Sequence, residues 1–253
     1  MTYDIEQRVR ARTRRAFLWA ALGLVVAVIA TVVVIVVAQG PESSNQQARR
    51  ETGTPTVGGP EKNQPATVAP AAIEGITWAQ AYGVWFPVSP ISGPKNRANG
   101  LASDFSRDPL GAALASIHIA DRAGPTGGPK IFEPTIKRQV IGDENQEFLA
   151  QTFQDYEQER QNKNIDSGEP LDAGSSNYAG FQIEHYDKSY AAIHLLLVSK
   201  KTATTPEVSA DFRVEVRWVD NDWRLVAPVD QSWESSASPA QQRNVYLLFR
   251  ERE

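Results

Sequence analysis

Residues 208–227 read VSADFRVEVRWVDNDWRLVA, a sequence typical of two β-strands joined by a tight turn. Apolar and polar residues alternate over Val208–Trp218, so one face of a β-strand packs on a core while the other meets water. Val219–Asp222 then predicts a short hairpin turn into the next strand. Upstream, Tyr178–Tyr186 and Tyr190–Ser199 show the same period of two. The pattern therefore predicts a run of antiparallel strands.

Helical periodicity precedes these strands. Ser106 or Asp108 can cap a first helix, Pro109 suits its first turn, and the helix ends before Gly124. A second, short helix is predicted over Pro134–Ile141. Helices that come first and strands that follow define the α+β class rather than an alternating βαβ chain.

A third helix is predicted after a capping Asp143. Its apolar stripe consists of Phe148, Leu149, Thr152, Phe153 and Tyr156. By contrast, residues 73–104 are rich in proline and glycine and are predicted to be irregular, with Trp78, Val84 and Phe86 as apolar plugs at the domain edge. The sequence leaves open whether residues 236–253 form a final strand or a helix.

An uncharged apolar run, AFLWAALGLVVAVIATVVVIVVA, occupies residues 16–38. As a helix it would be about 34 Å long, enough to cross a hydrocarbon layer about 30 Å thick. The arginines within residues 1–15 precede it, so the positive-inside rule places that tail in the cytoplasm and the rest of the chain outside. We expect a single-pass protein of the cell membrane that contacts the lipid bilayer through residues 16–38.

A cleaved signal peptide is the alternative for this segment. Val36–Ala38 has the small residues that a signal peptidase requires, but the run is longer than the usual 7–15 or so apolar residues of a signal peptide. Both interpretations give the same topology. Residues 39–72 have no aromatic residue and are rich in Gly, Pro, Ser, Thr and Gln, which predicts a flexible linker. Residues 73–253 then form one extracytoplasmic domain.

Composition excludes several classes of protein. The chain has 253 residues, no cysteine and three histidines, so it has no disulfide or thiolate metal site and little material for a histidine metal centre. Its formal net charge is −4, and the part after residue 15 is still more acidic, so we expect no direct nucleic-acid binding. Hydrolase-elbow, Walker and zincin motifs do not occur. We predict no catalytic residue, no cofactor and no metal site.

Four side chains are the candidates for a ligand pocket: His118, His194, Trp218 and Trp223. Each histidine is either an acid–base group in a pocket or a hydrogen-bonded residue at the edge of the core, and the second interpretation is favoured. The acidic run Asp220–Asp222 is interpreted as a turn rather than a cation loop. Gly23 and Ala27, four residues apart in the apolar run, leave homo-oligomerisation open.

The order of helices and strands, ending in the Trp218–Val226 hairpin, resembles the nuclear-transport-factor-like fold, a cone in which a sheet wraps a long helix. A single-pass anchor with such a domain outside resembles the bitopic assembly subunit of type IV secretion and conjugation machines. Closer local similarity is to uncharacterised actinobacterial membrane proteins of plasmids and integrative elements, over most of residues 76–235. The stretches that carry it are Gly83–Ser89, Asp108–Ala115 and Gly128–Ile136.

The resemblance implies a cone-like domain of about three helices packed on a curved antiparallel sheet. It also implies a non-enzymatic assembly or scaffold subunit whose partners are other membrane subunits of a transfer machine. One alternative is a module that binds a lipid or another apolar ligand beside Trp218 and Trp223; another is an enzyme that uses His118 or His194. A closed apolar pocket would favour binding, converging polar groups would favour catalysis, and a filled core would favour assembly.

Overall fold

The computed structural model of the chain covers the C-terminal part of the sequence. It describes residues 73, 75–171, 176–199, 207–228, 230, 231, 233, 235–240 and 242–250. The predicted tail, transmembrane helix and linker (residues 1–15, 16–38 and 39–72) lie outside the described residues. Among the residues that are described, no helix has both the length and the apolar character needed to cross a membrane.

The described residues form a mixed α+β domain with three α-helices and two sheets. The helices are α1 (Pro109–Ala123), α2 (Pro129–Gln139) and α3 (Asn145–Asn162). The strands are β1 (Thr77–Ala81), β2 (Val84–Val88), β3 (Val140–Ile141), β4 (Ser176–Tyr186), β5 (Tyr190–Ser199), β6 (Val208–Val219), β7 (Asp222–Val226), β8 (Ala237–Pro239) and β9 (Leu247–Leu248).

The larger sheet has the order β3-β7-β6-β5-β4-β9, and β8 pairs with β6 beyond the end of β7. The central strands are antiparallel, as predicted, and Trp218 faces Trp223 across the β6–β7 hairpin. The prediction of a wholly antiparallel sheet is wrong at one edge, where β3 runs parallel to β7. The reason is that the chain enters this edge directly from α2 rather than through a hairpin.

The segment predicted to be irregular, residues 73–104, contains a β-hairpin instead. Strands β1 and β2 pair in antiparallel fashion around Tyr82 and Gly83, which have φ angles of 37° and 85°. Two positive φ angles are the geometry of a tight hairpin turn, which glycine adopts easily. Phe86 and Val84 on β2 are buried, as the plug interpretation predicted, and Trp78 is partly buried.

Two predicted helix starts are wrong. Helix α2 begins at Pro129 rather than Pro134, which lies inside the helix, and the chain leaves the helix at Val140 to pair with β7. Proline marks the first turn of a helix, and the earlier of two candidates holds that place here. Helix α3 begins at Asn145, and no side chain caps it, so Asp143 is not its cap.

The core lies between α1 and the larger sheet. Every residue of α1 after Pro109 is buried, and the helix packs against strands β4 to β7. Its cap is Asp108, one of the two predicted, whose Oδ1 accepts a hydrogen bond of 2.7 Å from the Gly111 amide. Alanines at 112, 113, 115, 120 and 123 keep the helix thin enough to lie close to its neighbours.

The C-terminal segment, whose structure the sequence left open, forms two short strands, β8 and β9, joined through a 3-10 turn at Arg243–Val245. Strand β9 pairs with β4 at Gly180. A Cβ atom at Gly180 would lie 2.5 Å from the Leu247 carbonyl oxygen, so only glycine lets the two backbones come this close.

Candidate functional site

A network of polar side chains is buried at the C-terminal end of α1. His118, Asp121 and Arg122 lie three and four residues apart, so one face of the helix presents all three. Their partners come from the β1–β2 hairpin and from Tyr178 on β4. All three helix side chains are at most 3% exposed, although two of them are normally charged.

His118 is fully buried, not at the edge of the core as predicted, because the hairpin covers this end of α1. Its Nε2 lies 2.8 Å from the Pro87 carbonyl oxygen, and its Nδ1 lies 3.0 Å from Nη1 of Arg122. A carbonyl only accepts and a guanidinium only donates, so Nε2 carries the proton and Nδ1 accepts. Burial, then the Arg122 charge, holds the pKa of His118 well below its usual range. The ring is therefore neutral, with both nitrogens engaged, and its position matches a hydrogen-bonded core residue.

Asp121 accepts hydrogen bonds from two tyrosine hydroxyls. Its Oδ1 accepts from the Tyr82 hydroxyl at 2.8 Å, and its Oδ2 accepts from the Tyr178 hydroxyl at 2.9 Å. Burial raises the pKa of Asp121, and the two tyrosine hydrogen bonds act in the opposite direction. Burial and the Asp121 charge raise the pKa of both tyrosines well above their usual range. The network therefore ties the hairpin, α1 and β4 together with phenols that stay protonated.

A cavity of about 420 Å³ opens beside this network. It lies between the β1–β2 hairpin, the loop around residues 97–101 and the start of α2. Arg122 lies at its floor and Arg97, which is exposed, lies at its rim. Its apolar walls include Phe86, Leu101 and Ile131. No local sequence pattern predicts this cavity, because its lining comes from four separate segments of the chain.

His194 lies on the opposite face of the sheet from the core. Its neighbours Ile193 and Leu195 belong to the core, so the side chain between them points away from α1. Its Nδ1 is 2.7 Å from Asp211 Oδ1, and the Tyr246 hydroxyl donates to the other oxygen of Asp211. The hydrogen bond with Asp211 raises the pKa of His194. The fold therefore keeps the two candidate histidines apart.

Trp218 and Trp223 do meet, as partners across the hairpin, with ring centroids 5.3 Å apart in a T-shaped contact. Trp223 is fully buried, and its indole nitrogen donates to the Ser106 carbonyl at 2.9 Å. Trp218 is partly buried, and the Arg107 guanidinium lies 5.2 Å from its ring centroid. Trp218 also lines a shallow surface depression beside Arg217. Both rings thus contribute to packing.

Asp222 has a structural role that the sequence analysis did not predict. The turn itself matches the prediction, with φ angles of 51° at Asp220 and 61° at Asn221. The buried Asp222 carboxylate then accepts from three backbone amides, those of Asp104 at 2.9 Å, Phe105 at 3.1 Å and Trp223 at 3.0 Å. The first two lie more than a hundred residues away in sequence, so no local pattern could have revealed them.

The fold is thus a mixed α+β domain with a buried His–Asp–Arg network and an adjacent cavity, and the described residues contain no cluster of three metal-ligating side chains. The chain belongs to the family described as a domain of unknown function, DUF8175, whose model matches residues 36–245. Comparison with curated proteins and with solved structures gives no match.

Proposed function

We propose that this chain is a non-enzymatic, membrane-anchored assembly or scaffold subunit of a conjugation or type IV-like secretion machine. The observation that carries this proposal is the filled interior. Helix α1 is buried along its length and occupies the face of the sheet where a cone-shaped carrier or enzyme would keep its pocket. With that space taken, the outer surface is the part of the domain that can recognise other subunits.

The proposed architecture is a nuclear-transport-factor-like cone whose sheet curls around a helix. Strand β4 supports this curvature, because its pairing with β5 shifts register between Tyr178 and Gly180 and again between Ile183 and His185. Such irregularities bend a strand. In the proposed arrangement, residues 16–38 hold the protein in the membrane and residues 39–72 set the distance of the domain from it. Residues 1–15 remain in the cytoplasm.

The loop that carries Ile91 is the first surface to test for partner contact. The Ile91 side chain is 74% exposed, the most exposed of the large apolar side chains described. The loop is held from inside, since Ser89 and Gly93 exchange two backbone hydrogen bonds of 2.9 Å, and Ser89 Oγ also accepts from the Ser92 amide at 3.0 Å. A rigid loop presents such a side chain with little loss of entropy on binding.

Site-specific photo-crosslinking in cells tests the proposal. A photoreactive amino acid at Ile91 in the full-length protein should capture membrane or channel subunits, identified by mass spectrometry. Gln146, exposed on α3, is the matched control and should give background only. Equal background at both positions, together with purification of the chain without other subunits, would contradict the scaffold role.

A pocket-binding function is the second candidate, and a separate cavity favours it. About 310 Å³ of space lies between β1, β4 and the C-terminal segment, with Trp78, Leu248 and Phe249 on its apolar side and Glu207, Arg243 and Arg250 on its charged side. Leu248 is 50% exposed, so an apolar ligand there would cover surface that is otherwise wet. Lipid retained through mild-detergent purification and lost on Leu248→Arg would favour this function over assembly.

A further inference from the structure

The Arg122 guanidinium is a buried cation with an unused edge. Both hydrogen bonds that the guanidinium makes to described residues come from Nη1, which donates to Nδ1 of His118 and to the His118 carbonyl at 3.1 Å. Nε and Nη2 have no partner among the described residues. Among the described residues, two side-chain polar atoms are both fully buried and without a hydrogen-bond partner, Gln139 Oε1 and Asn145 Oδ1. Nε and Nη2 of Arg122 do not belong to this group. Nε and Nη2 are therefore not completely enclosed, although Arg122 as a whole is only 3% exposed, and Arg122 lines the cavity.

Aromatic rings pack against this guanidinium. Its central carbon lies 4.5 Å from the Phe86 ring centroid and 5.8 Å from that of Tyr82. These contacts restrict the movement of the guanidinium and hence of its Nε–Nη2 edge. That edge matches the two oxygens of a carboxylate, and such bidentate pairs are the strong form of the arginine–anion contact.

The charges around the cavity favour a monoanion. Asp121 is the acid next to Arg122, and both of its oxygens are occupied by tyrosine hydroxyls. Arg97 adds a second cation at the rim, close enough to act on the buried His118. One acid against two arginines leaves an excess positive charge, which one carboxylate would balance.

Size and walls define the rest of the ligand. About 420 Å³ is at the lower end of the range for small-molecule sites, roughly 300–1,000 Å³. Phe86, Leu101 and Ile131 provide apolar surface opposite the charged floor. A compact acid with an aromatic or branched apolar body fits both features.

We propose that this cavity binds a small organic carboxylate, with the acid on Nε and Nη2 of Arg122 and the apolar body against Phe86, Leu101 and Ile131. The site is separate from the assembly role proposed above, so either can fail without the other. Its occupation would brace the hairpin against α1 and α2, because all three elements line the cavity.

Ligand-observed NMR and calorimetry on the full-length chain in nanodiscs test this proposal. The probes are benzoate and isovalerate, each paired with its neutral amide, together with inorganic phosphate. At least one acid should bind with a dissociation constant near or below about a millimolar, and at least tenfold more tightly than its amide. Equal binding of acid and amide, binding of phosphate alone, or no binding of either acid would overturn the proposal.

Matched variants locate the binding. Arg122→Lys keeps the charge but loses the planar edge, so acid binding should weaken at least tenfold. Arg97→Gln changes an exposed residue and should weaken it several-fold, which keeps the test informative if the Arg122 variant does not fold. Arg217→Gln, an exposed arginine elsewhere, is the control and should bind normally. Full acid affinity in the Arg97 variant and in a folded Arg122 variant would overturn the assignment.

Discussion

The His118 ring owes its place to two hydrogen bonds rather than to chemistry at its nitrogens. Pro87 fixes one nitrogen and Arg122 the other, while Phe86 stacks on the ring with centroids 4.9 Å apart. A sequence gives the residue type at this position but not its partners, since Pro87 is 31 residues away. The sequence therefore supports the prediction of a hydrogen-bonded histidine near the core, whereas its full burial and its neutral state follow from the tertiary contacts.

Replacing His118 by alanine should destabilise the fold. The change leaves a hole beside Phe86 and removes a partner each from Pro87 and Arg122, for a total of about 2–4 kcal/mol. Urea unfolding of the full-length chain, followed by tryptophan fluorescence, measures the loss. His185→Ala is the control, since that side chain is 43% exposed and its loss should cost less than about 0.5 kcal/mol. Equal stability of the two variants would contradict the structural role.

The two histidines should respond to pH in opposite directions. The pKa of His118 is lowered in the folded state, so the unfolded chain takes up the proton first, and stability is lost as the pH falls below about 6.5. The pKa of His194 is raised, so its contribution is present below about pH 6.5 and is lost as the pH rises through the folded value. NMR of the ring nitrogens at pH 6 should show His118 neutral with its proton on Nε2 and His194 charged. A charged His118 at that pH would refute the assignment.

Single elements show why some of the fold could be predicted. Strand β6 was identified because alternation is a local property, and α1 because its capping acid and first-turn proline are adjacent in sequence. The β1–β2 hairpin was missed because its glycine and Pro87 are residues that usually interrupt strands. Its stability comes from Phe86 and Tyr82 packing on α1, which no local pattern contains.

The hairpin between β6 and β7 should depend on Asp222 for its attachment to the rest of the domain. Asp222→Ala leaves three backbone amides without their acceptor and should cost about 2–4 kcal/mol in the free energy of unfolding. Asp220→Asn is the matched control in the same turn, because asparagine also tolerates a positive φ and this residue is exposed. An equally small effect of both changes would show that the turn alone holds this region.

Strand β9 should detach when Gly180 gains a side chain. Gly180→Ala forces a Cβ against the Leu247 carbonyl, so the amide of Phe249, which donates to Ala179 at 2.9 Å, should lose protection in hydrogen exchange. Gly168→Ala is the control, because it introduces backbone strain without a steric clash. That position has a φ of 86° and open space around it, so alanine there should strain only its own turn. Unchanged protection in the Gly180 variant would contradict the steric explanation.

At the scale of the whole molecule, sequence and structure inform different parts. The apolar run at 16–38 and the linker at 39–72 are compositional features, so the sequence alone yields expectations for them. In the described domain, by contrast, the functional features depend on the folded structure and not on composition. Its cavity and its buried network join segments that are distant in sequence, since Tyr82 and Tyr178 both donate to Asp121, and they appear only when the chain is folded.

The proposed function requires the anchor but no particular anchor sequence. Deleting residues 16–38 should abolish transfer of the mobile element, because the domain would no longer be held at the membrane. An unrelated single-pass helix with the same orientation should restore it. Transfer frequency, with immunoblots of membrane fractions, measures both outcomes. Full transfer without any anchor would refute the proposed role.

The complete burial of α1 has a consequence during synthesis. The helix is buried on all sides in the folded domain, and the last of the strands that cover it ends at Val226, about 100 residues after Ala123. At roughly 5–20 residues per second, a ribosome needs about 5–20 seconds to make that stretch. During this interval the nascent helix does not yet have all the strands that cover it in the folded domain. We therefore expect this helix to be the segment of the domain that a chaperone binds.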